Sequence, residues 1–172
     1  KEIKAAGLDY VGTYESQADY DKPFIKEING IKIGIVAYTA DTNDRYKTIP
    51  ADKQQYITRY FNPQKVNKVI NDIKALKSAG AEYVISYMHW GTEFSAAPSA
   101  TQKTVAQDML DNGADMILAS HTHSVQAITY KDVTVGGKTR KIIVAYALGN
   151  FLNDQSKSGN KQTNTGFLLS VT

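Results

Sequence analysis

All three histidines of the chain directly follow apolar runs. His89 comes after "YVISYM", and His121 and His123 come after "MILAS". Neutral imidazole is the commonest metal ligand in proteins and suits Zn, Mn, Fe or Ni. In an extended segment, residues i and i+2 point to one face, about 6.5 to 7 Å apart at the backbone. The His-x-His pair could then reach one ion or two adjacent ions, so we predict that all three histidines are metal ligands.

A structural role is the alternative for the same residues. His89 could pack beneath Trp90, while His121 and His123 could occupy a turn. A single His-x-His segment is a weak signal, and spacing alone does not exclude this alternative.

Two polar residues near these segments are further candidates: Glu93 could orient a metal-binding histidine, bind the metal itself or carry a proton, and Asn150 could reach the same edge of the sheet. Glu93 follows His89 after Gly91, a residue that permits a backbone which a side chain would block. Asn150 follows another apolar run in "YALGNFLND". We predict Glu93 and Asn150 as catalytic residues; an exposed loop carboxylate and a Gly-Asn turn are the respective alternatives. Gln126 could orient a histidine or be an ordinary strand residue.

Bridging carboxylates are scarce around these histidines. Two-metal hydrolases hold their ions about 3.5 to 4 Å apart around a bridging hydroxide. The chain has no Asp-x-His and no Gly-Asp pair, and Asp41 after "IVAYTA" is an isolated candidate. Three imidazoles alone predict weak binding of one ion and poor hydrolysis.

Three similar joints indicate the elements that must position these residues. The segments "AAGLDYVGTY" (5–14), "SAGAEYVISYMHW" (78–90) and "DNGADMILASHTH" (111–123) each run from a helix end through glycine and an acidic residue to a short apolar strand. Such joints predict an α/β fold with neighbouring parallel strands. Sites in open α/β sheets form at the carboxyl ends of such strands, where both histidine segments lie.

Local signals predict the remaining elements. The stripe of apolar residues in 62–80 predicts a helix that starts at Asn62 and Pro63 and stops at Gly80, and a shorter stripe predicts a helix over 98–113. Hairpins are predicted at Asn29-Gly30 and near Gly136-Gly137, and a closing strand is predicted over 166–172. Residues 41–61 show neither the helical nor the strand spacing of apolar residues, which predicts a long loop.

Composition limits the class of protein. The chain has 172 residues, 42% of them hydrophobic and 22% charged, which fits one globular domain over residues 1–172. The net charge of +3 arises from dispersed lysines, and no basic run indicates nucleic-acid binding. No apolar stretch approaches the roughly 20 residues that cross a bilayer. The opening "KEIKAAG" is typical of a helix end, so we expect a fragment of a longer protein.

Three segments in order resemble one known family. "HWGTEF", "SHTHSVQ" and "YALGNFLND" are similar to motifs of the CapA family of poly-γ-glutamate capsule synthesis proteins, and "AGLDYVGT", "NGIKIGIVAYT" and "TGFLLSVT" also fit. That family looks like a branch of the calcineurin-like metallophosphatases. The resemblance implies an α/β fold in which a mixed β-sandwich is flanked by helices as four α/β/β/α layers, here incomplete at the amino-terminal side.

The resemblance also implies roles for matched residues. His89 resembles the family's single metal-binding histidine, and His121 and His123 resemble its paired histidines. The implied cofactor is a divalent metal, Mn, Zn or Fe, with two ions in the intact protein. Ser120 stands where the family has glycine and Thr122 where it has proline, which loosens the loop without removing a ligand. The Gly-Asp and Asn-His segments of the family's amino-terminal half are absent.

Two functions follow as expectations. The first is capsule biosynthesis or export with a metal-dependent hydrolase site, acting on an anionic surface polymer or a phosphoester and partnered by the amino-terminal half of the same protein. The second is a binding module that keeps the fold without catalysis, holding polymer or protein through its lysine-rich face and tyrosine-rich loop. The resemblance implies the extracellular face of the bacterial membrane, with any membrane anchor outside this sequence.

Overall fold

A mixed six-stranded sheet forms the centre of the computed structural model, which describes residues 2–59, 61–135, 137–153 and 161–170. The strand order is β1-β2-β3-β4-β6-β5. The strands are β1 (Ile25–Ile28), β2 (Ile31–Thr39), β3 (Tyr83–His89), β4 (Met116–Ser120), β5 (Ile128–Val135) and β6 (Lys138–Ala145). The α-helices are α1 (Glu2–Ala5), α2 (Gln17–Asp21), α3 (Asn67–Ser78) and α4 (Ala100–Asp111).

Two hairpins form the outer parts of the sheet, as the turn signals predict. The β1–β2 turn is Asn29-Gly30, with φ values of 51° and 81°, which matches the preference of tight hairpin turns for residues that tolerate positive φ. In the β5–β6 hairpin, Val135 pairs with Lys138. Gly137 there has φ 77°, and Gly136 lies outside the described residues.

The four inner strands β2, β3, β4 and β6 run parallel, which confirms the predicted α/β class. Their register aligns Thr39 with His89 and His89 with Ser120. The last residues of three neighbouring strands therefore lie side by side at one edge of the sheet, directly before His121.

Helix α3 covers one face of this sheet. Asn62 accepts a hydrogen bond from the Gln64 backbone N–H, a single 3-10 turn (Pro63–Lys65) follows, and Gly80 with φ 95° ends the segment. This confirms the predicted helix, with a tighter first turn. Its buried residues share the face that meets the strands, at the i, i+4 and i+7 spacing of one helix face: Val69, Ile73 and Leu76.

Helix α4 packs beside α3 on the same face and confirms the second predicted helix. Ser99 and Gln102 form a reciprocal capping box at its start, which satisfies two otherwise unpaired backbone donors. Val105, Ala106 and Met109 are buried in the core that both helices share. Helix α3 connects β2 to β3 and α4 connects β3 to β4, so both connections between these parallel strands pack into the same core.

The opposite face of the sheet is apolar but only half-buried. Ile33, Ile35, Ile85 and Leu118 are intermediate in exposure, and Tyr87 is 40% exposed. Strands that are apolar on both faces are typical of sheets covered on both sides. The described residues form one sheet with helices, so the expected second sheet of a four-layer arrangement is not among them.

Two predicted strands are wrong. Within 5–14, a single bridge between Thr13 and Thr58 replaces the strand, since Gly12 with φ 99° interrupts the extended backbone. Gly166 bridges Gly149, and no described residue of 167–170 is in a strand; residues 171–172 lie outside the described residues. A side chain at 166 would collide with the Asn150 carbonyl, so this glycine serves a close backbone approach.

The long segment 41–61 is the predicted loop, with one 3-10 turn (Arg45–Thr48) in its described part; Tyr60 lies outside that part. Arg59 is 7% exposed and ties the loop to α3 through an ion pair with Asp72. Its Nε atom also donates to the Tyr14 hydroxyl at 2.6 Å. The loop is therefore anchored at its carboxyl-terminal end.

A buried carboxylate joins three elements at the far end of the sheet from the histidines. Asp115 is fully buried, accepts a hydrogen bond from the Val84 backbone N–H at 2.8 Å, and pairs with Lys77 at 2.7 Å and with Arg140.

Within the described ranges, none of the helices has the length and apolar character required to span a bilayer.

Candidate functional site

The histidines meet at the carboxyl-terminal edge of the sheet. His89 ends β3, and its ring centroid lies 4.5 Å from that of His121, with the planes inclined at 55°. The Ala40 N–H donates to the His89 carbonyl at 2.8 Å, which joins the ends of β2 and β3. The aligned ends of the parallel strands thus bring two histidines that are distant in sequence into ring contact.

Thr39 fixes the ring of His89 from the neighbouring strand. The Thr39 hydroxyl oxygen lies 3.0 Å from His89 Nδ1 and 2.5 Å from the Asp41 carbonyl oxygen. The Asp41 carboxylate accepts backbone hydrogen bonds from Thr42 and Asn43 at 2.6 and 2.9 Å, which forms a turn. Asp41 is therefore used in the backbone turn after β2 as well as lying near the site.

Burial and a neighbouring histidine favour the neutral form of His89. Burial lowers the pKa of His89 below its ordinary value, and the neighbouring His121 adds to this lowering because two imidazolium charges repel. The carboxylates of Asp41 and Glu93 raise the pKa of His89 and oppose these effects. A neutral imidazole is the form that can donate a lone pair to a metal.

The His-x-His segment is not extended, so the predicted same-face geometry is wrong. His121 has φ 102° and His123 has φ 56°, values that non-glycine residues seldom adopt. These backbone angles turn the two rings to different neighbours: His121 contacts His89, whereas His123 lies between Asn150 and Phe94. The turn expected of a purely structural pair is present, but with strained backbone of the kind found at functional sites.

His123 has a polar partner on each side of its ring. Its Nδ1 atom lies 2.9 Å from Asn150 Oδ1, and its Nε2 atom lies 3.7 Å from Glu93 Oε1. The Phe94 ring stacks on the imidazole, with the ring centroids 5.8 Å apart and the ring planes inclined at 27°. Both polar residues predicted from sequence, Glu93 and Asn150, therefore lie beside His123.

Gln126 was a candidate for orienting a histidine, but its side chain hydrogen-bonds to Ser95, Ala97 and Gln102 instead. This side chain is 3% exposed, donates to the carbonyls of Ser95 and Ala97 at 3.0 Å each, and accepts from Gln102 at 3.1 Å. It contacts the loop after β3 and orders it. At Gly91, with φ 101°, an added Cβ would lie 3.0 Å from the Gln102 amide.

Trp90 packs away from His89. Trp90 is 2% exposed, and its ring centroid lies 6.1 Å from that of Phe61. Its indole N–H donates to the Tyr146 carbonyl at 3.1 Å. Successive residues of a strand point to opposite faces, so Trp90 enters the helix-covered core while His89 faces His121. The alternative that His89 packs beneath Trp90 is wrong.

Imidazole nitrogens beside carboxylates are suitable donors for a divalent transition metal. In the portion of the chain that the structure describes, no three or more His, Asp or Glu side chains form a group placed to hold an ion. The chemistry of the donors fits a metal, but these residues do not complete a site.

Sequence reasoning missed Thr39, which contacts His89 directly. The signal was available, because Thr39 ends "IVAYT", an apolar run of the same kind as those before the histidines. Treating the residue at the carboxyl end of every predicted parallel strand as a site candidate, and not the histidines alone, would have identified Thr39.

Comparison with known proteins identifies similar chains. The family model described as "Bacterial capsule synthesis protein PGA_cap" matches residues 1–155. The chain is 33% identical over 164 residues to "Capsule biosynthesis protein CapA" of Bacillus anthracis, covering 95% of this chain and 37% of that protein. It is 28% identical over 162 residues to "PGA biosynthesis protein CapA" of Bacillus subtilis (strain 168), covering 90% of this chain and 37% of that protein.

The chain thus spans about 37% of the length of these two relatives. Among solved structures, a hypothetical protein from Thermus thermophilus aligns with a TM-score of 0.38 at 13% identity, covering 74% of this chain and 38% of that one. A superposition at that score supports no conclusion about the fold.

Proposed function

The chain belongs to the PGA_cap family of bacterial capsule synthesis proteins, and on this premise we propose that it serves the synthesis or export of a capsule polymer. The polymer is poly-γ-glutamate or a related anionic surface polymer. The names of the two relatives, a capsule biosynthesis protein and a PGA biosynthesis protein, support this assignment. The corresponding location is the outer surface of the bacterial cell.

The candidate site of this function is the edge of the sheet that carries the histidines. His89, His121 and His123 are its metal ligands, and the ion is Mn, Zn or Fe. The observation that supports the proposal most is the 4.5 Å contact between the His89 and His121 rings at aligned ends of parallel strands. Divalent ions in such sites supply Lewis acidity and an activated water for hydrolysis.

The remaining ligands come, in this proposal, from the amino-terminal half of the longer protein. Among the described residues, no three or more His, Asp or Glu side chains form a group placed to hold an ion, and a two-ion site needs bridging oxygen donors. The substrate is an anionic polymer or a phosphoester. Glu93, 3.7 Å from His123, is the proposed proton carrier.

Hydrolysis assays test this proposal. We would measure phosphodiester and γ-glutamyl hydrolysis by the chain and by a longer relative that it matches over part of its length, with added Mn²⁺ or Zn²⁺. We expect poor activity from the chain, lost in His121→Ala. We expect activity from the longer relative that requires both the metal and the histidine aligned with His121, tested by replacing that histidine with alanine. Full activity in that variant would contradict the proposal.

A binding module without catalysis is the second candidate. It is favoured by the absence of a complete ligand group among the residues that the structure describes. Lysine-rich chains attract anionic polymers through charge, and the chain has a net charge of +3. Retention of poly-γ-glutamate that survives His121→Ala, with no hydrolysis under any metal condition, would favour the module over the enzyme.

A further inference from the structure

Two hydrogen-bond chains at the site each end at a backbone carbonyl, and this determines the direction of every bond in them. The first runs from His89 Nδ1 to the Thr39 hydroxyl, 3.0 Å, and on to the Asp41 carbonyl, 2.5 Å. A carbonyl only accepts, so the single hydroxyl proton of Thr39 goes to Asp41. The hydroxyl oxygen must then accept from His89, and Nδ1 of that ring carries the proton.

The second chain runs through Asn150. Its Nδ2 atom donates to the Thr163 carbonyl at 3.0 Å, and its Oδ1 atom lies 2.9 Å from His123 Nδ1. Reversing the amide would place its oxygen against the Thr163 carbonyl, two acceptors facing each other. Asn150 therefore presents an acceptor to His123, and Nδ1 of this ring carries the proton as well.

We propose that Thr39 and Asn150 are positioning residues that hold His89 and His123 in the Nδ1–H tautomer, which leaves the lone pair of each neutral ring on Nε2. A hydrogen bond from the other ring nitrogen is the usual means by which proteins fix the tautomer and orientation of a metal-binding histidine. The tautomers follow from the hydrogen bonds alone. Their use in holding a cation rests on the proposed function.

His121 provides an internal comparison. Its ring contacts His89 at 4.5 Å, and it forms no side-chain hydrogen bond with another described residue. No such chain fixes its tautomer, so its ring nitrogens should average between the two neutral forms. One sample therefore contains two fixed imidazoles and one reference.

Long-range proton–nitrogen NMR on the chain labelled with ¹⁵N-histidine, with chelator at pH 7.5, tests the tautomers directly. We expect protonated Nδ1 and unprotonated Nε2 signals for His89 and His123, and averaged signals for His121. Thr39→Val should average the His89 signals alone, Thr39→Ser should restore them, and Asn150→Ala should average the His123 signals alone. A wild-type His89 or His123 with protonated Nε2 would overturn the proposal, as would signals unchanged by Thr39→Val in a folded sample.

A zinc titration of the same samples separates this inference from the proposed function. Zn²⁺ should shift the Nε2 signals of His89 and His123, and Thr39→Val should weaken zinc binding roughly 10- to 100-fold. The exposed Thr104→Val on α4 is the matched control and should change neither readout. Fixed tautomers without any zinc-induced shift would support the positioning roles and contradict the metal site.

Discussion

Backbone strain at His121 and His123 is the clearest residue-scale mark of the site. The φ values of 102° and 56° place both Cβ atoms near the following carbonyl, which costs roughly 1–2 kcal/mol per residue in the left-handed region. Such strain persists only where surrounding contacts enforce it, and it concentrates at functional sites. Here the contacts are those of His121 with His89 and of His123 with Asn150.

Glycine at position 121 should therefore relieve strain. We expect His121→Gly to be more stable than His121→Ala by about 1–2 kcal/mol, because only glycine adopts this φ without steric cost. Urea denaturation measures the difference. At the exposed helical Lys74 the order should reverse, with glycine less stable than alanine by about 1 kcal/mol. Equal stabilities at 121 would contradict the strained backbone.

The lowered pKa of His89 predicts a pH dependence of stability. Between its folded pKa and its ordinary value of 6.5, the unfolded state binds more protons than the folded state, so stability falls as the pH falls through this window. Denaturation with chelator at several pH values from 7.5 downwards should show this loss, and His89→Gln should show less of it. Identical pH profiles for both chains would contradict the burial of a neutral ring.

Sequence predicted where these histidines lie but not how they are oriented. Strand-end position placed His89 and His121 at one edge, because parallel strands share that edge. The separate partners of His121 and His123 depend on two positive φ values. Spacing does not encode such angles, because they arise from tertiary contacts.

At the element scale, the segments that could be predicted are those whose own residues mark where the element begins, which face is buried and where it ends. The 62–80 helix carries a cap, an apolar stripe and a glycine stop, and Asn29-Gly30 specifies its own turn. The strand predicted within 5–14 and the described part of the strand predicted over 166–172 did not form, because a strand requires a partner edge. The described residues of these two segments form only single bridges, at Thr13 and Gly166.

Burial of α3 predicts a large effect from one core truncation. Ile73 is fully buried against the sheet, so Ile73→Ala should lower the free energy of unfolding by about 2–5 kcal/mol through lost contacts and a cavity. Lys74→Ala, one residue on but exposed, should change it by less than about 0.5 kcal/mol. Urea denaturation of both variants gives the comparison, and similar losses would contradict the packing of α3.

At the scale of the whole molecule, the sheet has a structural end and a candidate functional end. Asp115 joins α3, β3 and β6 at the amino-terminal end of the parallel strands, and the histidines occupy the carboxyl-terminal end. Helices cover one face, while the other keeps half-buried apolar residues such as Ile85 and Leu118. From this division we expect the candidate functional end to be independent of the charges that hold the strands together.

Neutralising Asp115 should affect stability alone. Asp115→Asn leaves Lys77 and Arg140 without a buried carboxylate, a change that typically costs about 3–5 kcal/mol. Asp132→Asn removes an exposed pair with Lys141 and should cost about 0–1 kcal/mol. Denaturation measures both, and the histidine NMR signals of folded Asp115→Asn should match those of the wild type. Altered signals would contradict the separation of the two ends.

Calorimetric titration of the chain with Mn²⁺ and Zn²⁺ tests the central claim most directly. The account predicts weak binding of one ion, lost in His89→Ala and in His121→Ala and retained in the exposed Lys74→Ala. Binding that persists in both histidine variants would contradict a metal site at this edge of the sheet. Tight occupancy by two ions would contradict the claim that the described residues supply only part of the ligand set.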